Sequence, residues 1–143
     1  MIDARTAPYA ALVLRVALGA MFIAHAGLKY FVFTLPGTAQ FFQSLGLPAA
    51  LAYLTFAAEL IGGVLILAGV GARWAAAVLV PILLGATWAH AGNGWLFTSA
   101  NGGWEYPAFL SLAAFAQALL GDGKFALANV IGTPAKSVQP LTI

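Results

Sequence analysis

The chain has 143 residues, of which 62% are hydrophobic and 7% charged, with six Lys and Arg, four Asp and Glu, and a net charge of +2. A soluble domain carries about 25% charged residues, so this chain could not cover a water-facing surface, which excludes an ordinary cytosolic enzyme, a disordered tail and a nucleic-acid binder. The absence of cysteine removes disulfides, thiol catalysis, thiolate metal sites and Cys-ligated iron–sulfur clusters, and a polytopic protein of the lipid bilayer remains.

A bilayer core of about 30 Å needs about 20 mainly apolar residues. The first such stretch runs from about Tyr9 to Phe33, with Pro8 where a helix can start. Arg5, the apolar run and Ala24-His25-Ala26 mimic a cleavable leader. Arg15 interrupts that run, so a retained first span is expected. Thr34 to Leu47 alternates Phe41, Phe42 and Leu45 with Gln40, Gln43 and Ser44, and reads as a short amphipathic helix at the membrane interface. The second span runs from about Ala49 to Val70 and the third from about Trp74 to Ala91. Gly69-Val70-Gly71-Ala72 joins them as a tight antiparallel hairpin. Gly92 to Trp104, rich in Gly, Asn, Ser and Trp, reads as an ordered loop with aromatic anchors. The fourth span runs from about Glu105 to Leu120 with Pro107 in its first turn. Strand alternation is absent. The expected fold is therefore all-α: a four-transmembrane-helix bundle over residues 1–128, with a loose tail over 129–143.

Four spans place both termini on one side, with Arg5, Arg73, Lys124 and Lys136; the other side has only Lys29. Cytoplasmic loops carry the excess of Lys and Arg, so both termini are expected in the cytoplasm.

Four helices need no charge between them to pack, and a charge at mid-bilayer costs about 2.5–3.5 kcal/mol on insertion scales. Arg15, Leu18, Phe22, His25 and Lys29 follow helical spacing and form a polar stripe along the first span. By rise per residue, Glu59 lies about 15 Å from the outer end of the second span, His25 about 12 Å below the outer end of the first, and Arg15 about 9 Å above its inner end. Arg15 can climb roughly 6 Å towards the centre, so Arg15 and His25 are the expected partners of Glu59. One reading is a structural ion pair that docks span one on span two. The other is a polar pocket for a small ligand or proton, open to the outer face. Lys29, Gln40, Gln43, His90, Asn93, Asn101 and Glu105 collect at that end, ringed by Trp88, Trp95, Trp104 and Tyr106.

Haem is not expected, because His25 lies roughly 12 Å deeper than His90 and the two cannot sandwich one ring. Zinc is not expected either, since one histidine at each depth is too few for a tetrahedral site; only His25 and Glu59 with one further ligand stays open. Ala58-xxx-Gly62, Gly85-xxx-Ala89 and Ala114-xxx-Ala118 permit close helix approach. Packing within the chain is favoured over a dimer face, and a homo-oligomer stays open. Gly62-Gly63 follow Glu59 by one turn and could let a helix, or a flat ligand, come near the carboxylate.

Arg15, Gly19, Gly27 and Lys29 resemble the R…G…G-x-K pattern of the DoxX family of membrane proteins. Glu59-Leu60-Ile61-Gly62-Gly63 with Leu65 and Gly69 resembles its E-x-x-G-G…L…G signature. His90 to Trp95 and Gly103-Trp104-Glu105-Tyr106-Pro107 resemble its third loop and the start of its fourth span. Gly121 to Leu127 resembles its G-P-G-R-Y-S-L-D ending. There Asp122 stands for Pro, Lys124 for Arg, Ala126 for Ser and Ala128 for Asp. The likeness covers residues about 10 to 128. It implies a four-helix protein of the bacterial inner membrane, related to the membrane subunit of thiosulfate:quinone oxidoreductase and to proteins of thiol-redox and oxidative-stress complexes.

Three functions follow. In the first, the chain is a quinone-linked redox subunit: Glu59 and His25 are the catalytic residues, Glu59 carrying the coupled proton and His25 or Lys29 donating a hydrogen bond to a quinone oxygen, and Arg15, Lys29, Gly62, Gly63, His90, Asn93 and Glu105 line the quinone site. Electrons then come from a soluble or membrane redox partner. In the second, it is a non-catalytic scaffold recruiting a soluble enzyme. In the third, it is a small-solute or proton pathway, for which the inner half looks too apolar.

Overall fold

The computed structural model describes residues 3–131. Among them every regular element is helical. Helix α1 (Ala7–Gly27) runs into one wide π turn (Leu28–Val32). Helix α2 (Leu35–Ser44) and helix α3 (Ala50–Ala68) follow, then α4 (Ala72–His90) and α5 (Glu105–Leu120). Three helical stretches are long and apolar enough to cross a membrane: Ala7–Val32, Ala50–Ala68 and Ala72–Asn93. Helix α5, with 16 residues, is about 24 Å long and falls short of them. The tail expected over 129–143 lies outside the described residues from 132 onwards, as does Lys136.

Aliphatic side chains face outward on all four long helices. Val13, Ile61, Val78 and Leu112 are 60–69% exposed. A monomer in water does not carry apolar faces of this extent. The side chains pointing inward make the core: Leu18 and Phe22 of α1, Ile66 of α3, Leu79 and Leu83 of α4, Leu110 and Ala114 of α5.

Glycines set the register between helices. A Cβ on Gly19 would stand 2.7 Å from the Cβ of Leu67, and one on Gly63 would stand 3.0 Å from the Cβ of Phe22. Removing those methyl groups lets α1 and α3 touch backbone to side chain, antiparallel. Tyr30 stacks on Phe56 further along the same seam, with centroids 6.0 Å apart. The pairings place Glu59 level with Ala26 and Gly27. They place Arg15 beside the α3–α4 turn.

That turn begins at Gly69, whose φ of +71° is left-handed and ends α3 in a Schellman-type cap, with the Val70 N–H donating to Leu65 O at 3.0 Å. Helix α5 returns the chain to the end where α1 begins: Lys124 N–H donates to Pro8 O at 2.9 Å. Helix α2 packs against α3 and the π turn. Thr34 starts it with φ +61°, a rare conformation for a β-branched residue. Its hydroxyl accepts from Gly37 N–H at 3.2 Å, and its carbonyl accepts from the Thr38 hydroxyl at 2.9 Å.

Candidate functional site

Glu59 meets Lys29. The ammonium donates to Oε2 at 2.6 Å, with side-chain exposures of 17% for Lys29 and 7% for Glu59. This corrects the depth argument, which offered Arg15 or His25. A depth count gives each residue a height on its own helix but not the register between helices. The Gly19 and Gly63 contacts fix that register so that Lys29 lies about one turn beyond Glu59, away from the end where α1 begins, within reach of a four-carbon stem. The wide turn falls at this residue. Phe33 N–H donates to Leu28 O, five residues back, at 2.9 Å, so the ladder opens where Lys29 leaves the helix. Such π turns recur at functional sites. Nothing in the local sequence announces one.

Lys29 spends one of its three donors on Glu59 and has no other hydrogen-bond partner among the described residues. His25 sits one turn below. Its Nδ1 lies 2.8 Å from Met21 O. A carbonyl only accepts, so Nδ1 carries the hydrogen, and neutral His25 keeps a lone pair on Nε2. The imidazole stacks on the Tyr106 ring, centroids 5.8 Å apart and planes 20° apart. Tyr106 is in the first turn of α5 and packs against the core. Two separate pairs, Lys29 with Glu59 and His25 with Tyr106, thus lie within about one helical turn of each other along the first span.

The other expected residues lie elsewhere. Arg15, 2% exposed, presses on Gly69 so closely that no Cβ fits there. Its Nη2 donates to the carbonyls of Lys124 and Phe125 at 3.3 and 3.4 Å. It pins the segment after α5 to the α3–α4 turn. Gly62 faces Leu79 of α4 and Gly63 faces Phe22 and Ile23 of α1, so both seat neighbouring helices rather than a ligand. His90 bonds Ala86 O through Nδ1 at 2.8 Å and lies beside Gly102. Asn93 donates to Asn101 O at 3.2 Å and Gly102 O at 2.9 Å. Glu105 accepts from Phe97 N–H at 2.9 Å. Asn93 and Glu105 therefore shape the loop between α4 and α5, inside which Trp95 and Trp104 pack edge to face, 4.5 Å apart.

An apolar groove of about 330 Å³ flanks the same stretch of α1. Ile23, Ala26, Gly27, Tyr30, Phe56 and Leu60 are among its lining residues. Glu59 and Lys29 do not line it. Among the described residues no three His, Asp or Glu side chains gather as a metal site would require.

These features define a helical membrane protein that holds, among the described residues, one charged pair between the π turn after α1 and helix α3. The DoxX family model matches residues 10–92, and the chain belongs to that family. It is similar to a Bacillus subtilis (strain 168) protein named "Putative oxidoreductase CatD", 45% identical over 75 residues, which are 52% of this chain and 54% of that protein. The chain thus spans about half the length of the curated relative it matches. No solved structure matches it.

Proposed function

We propose that this protein is the membrane subunit of a quinone-linked redox system. In this reading it has four spans in the bacterial inner membrane, both termini in the cytoplasm, and α2 lying at the outer interface. The Lys29–Glu59 pair then marks a polar pocket near the outer face. The observation that carries the reading is that pair: a 2.6 Å ion pair of low exposure, one residue into the only π turn among the described residues, with donors to spare.

Reduction of a quinone takes up two electrons and two protons, and the electrons come from a partner redox protein. This chain's residues hold the head group and handle protons. A free Lys29 donor suits a carbonyl oxygen. Glu59, relieved of part of its ion pair when Lys29 turns to the ligand, is the group that gives or takes a proton, and His25 Nε2 accepts one beside it. The groove past Ala26 offers an apolar chain a place to lie. The oxidoreductase name of the Bacillus relative supports redox chemistry in the family, and names no substrate.

Solvent extraction of the purified protein followed by mass spectrometry is expected to yield a quinone, and added decylubiquinone is expected to quench the tryptophan fluorescence. Neither occurring would overturn the reading. Glu59→Gln is expected to fold and lose quinone binding. If it only lowers folding yield, while the folded fraction binds as before, the pair is a structural device of a scaffold.

A further inference from the structure

The loop between α4 and α5 and the start of α5 enclose a second hollow, of about 560 Å³. Five rings line it, those of Trp95, Phe97, Trp104, Tyr106 and Phe109, together with the carboxylate of Glu105. Neither Lys29 nor Glu59 is among its lining residues. Trp95 and Trp104 stand at 87° to each other with centroids 4.5 Å apart, and so make a corner of two indoles.

Each half of this lining has an ordinary reason to exist alone. Aromatic rings gather where membrane helices meet water, and this loop follows Ala72–Asn93, a helical stretch long enough to cross. A carboxylate suits the first turn of a helix, and Glu105 opens α5. Neither reason puts the carboxylate among the rings. Glu105 uses one oxygen, Oε1, to accept from Phe97 N–H at 2.9 Å, and a glutamine would serve that bond as well. Its Oε2 has no hydrogen-bond or ion-pair partner among the described residues. Lys29, the described lysine at this end of the helices, is joined to Glu59. The charge on Glu105 is therefore left for a cation from outside the chain.

We propose that this hollow binds the ammonium head group of a bilayer lipid. An ammonium is attracted by ring faces and by a carboxylate at once, and the hollow offers both. Glu105, Ala108, Phe109 and Leu112 follow helical spacing down one face of α5, and all four line the hollow. Phe109 and Leu112 are 67% and 69% exposed. The hollow thus runs from a charged corner onto an apolar flank of the helix, where an acyl chain can lie. A soluble amine would leave that flank unused, and a purely anionic head group would meet Glu105 with no free cation to hold it. The site is separate from the Lys29–Glu59 pair, and neither reading requires the other.

The test compares two lipids that differ in the head group. Dioctanoyl phosphatidylethanolamine and dioctanoyl phosphatidylglycerol are titrated separately into delipidated protein in a non-ionic detergent, and native mass spectrometry counts the bound lipid. The wild type is expected to bind the first about three- to tenfold more tightly, the share of one hydrogen bond to a charged group. Glu105→Gln, which keeps an oxygen for Phe97 N–H, is expected to bring the two Kd values together. Trp95→Leu, at an exposed position, is expected to weaken the ethanolamine lipid about two- to fivefold. Equal binding of the two lipids by the wild type would overturn the proposal, and that comparison needs no variant. A preference that survives in Glu105→Gln would overturn it too, because the carboxylate would not be the site. Free ethanolamine that displaces the ethanolamine lipid at equal concentration would mean that the hollow takes a soluble amine, and the lipid assignment would fall.

Discussion

Removing either partner of the Lys29–Glu59 pair leaves a charge in a poor setting, but not equally. Glu59 is the more enclosed, 7% exposed against 17%. Breaking a buried pair from one side costs about 3–5 kcal/mol, and replacing both partners by apolar groups is often neutral. Lys29→Met is therefore expected to destabilise by about 3 kcal/mol or more, and Lys29→Met with Glu59→Leu to recover most of it. Urea unfolding of the four species of the cycle measures the coupling. The carboxylate was legible in the sequence because an acidic residue deep in an apolar run is costly wherever it sits. Its partner was not, because Arg15, His25 and Lys29 share one stripe. Only contacts between helices choose among them.

Those contacts are the business of whole elements, and two glycines of α1 show how differently one residue type can serve a helix. Gly19 lies against Leu67, and a methyl group there must displace α3. Overpacking of this kind costs about 1–3 kcal/mol. Gly27 is also helical, with φ −59°, yet a Cβ on it meets nothing within 4 Å. Gly19→Ala is expected to lower stability by that amount. Gly27→Ala is expected to raise it by up to about 1 kcal/mol, the helix-propensity difference between the residues. Thermal unfolding of the two variants side by side checks the contrast. Gly27 thus carries a small cost that packing does not repay, and it lines the apolar groove. At the other end of the helices the departures from the family ending have a structural use. Asp122, standing where the pattern has proline, accepts the Ala72 N–H at 2.6 Å and so caps α4 from outside it. Asp122→Ala is expected to cost about 1 kcal/mol, as loss of an N-cap does, and Asp122→Asn less. The same unfolding measurement reads both. The helices themselves were plain in the sequence from run length and Pro and Gly placement. The π turn was not, because it inserts one residue without changing the apolar pattern.

At the scale of the whole molecule, the ion pair changes how the charges vote on orientation. Of the described basic residues, Arg15 is buried and Lys29 is joined to Glu59. Arg5, Arg73 and Lys124 remain, and all three lie at the end where α1 begins, Arg73 through a bond to Leu119 O at 3.1 Å. The opposite end keeps no uncommitted cation among the described residues. The bias that places Lys and Arg in the cytoplasm is therefore cleaner in the folded chain than in the sequence, where Lys29 counted against it. Helix α5 decides the number of crossings. It is short by length, yet it carries the chain back to Pro8, so a fourth crossing is the expected outcome of a topology map. With no native cysteine, single-cysteine variants make a direct map. Thr98→Cys, in the loop before α5, is expected to react with an impermeant maleimide on intact spheroplasts. Ala4→Cys and Asn129→Cys are expected to react only after permeabilisation. Labelling of Asn129→Cys but not Ala4→Cys from outside would mean that α5 does not cross, and labelling of both with Thr98→Cys protected would mean that the protein is inverted. An inverted protein would put Lys29 and Glu59 in the cytoplasmic half, and a partner delivering electrons to that pair would then have to be sought on the cytoplasmic side.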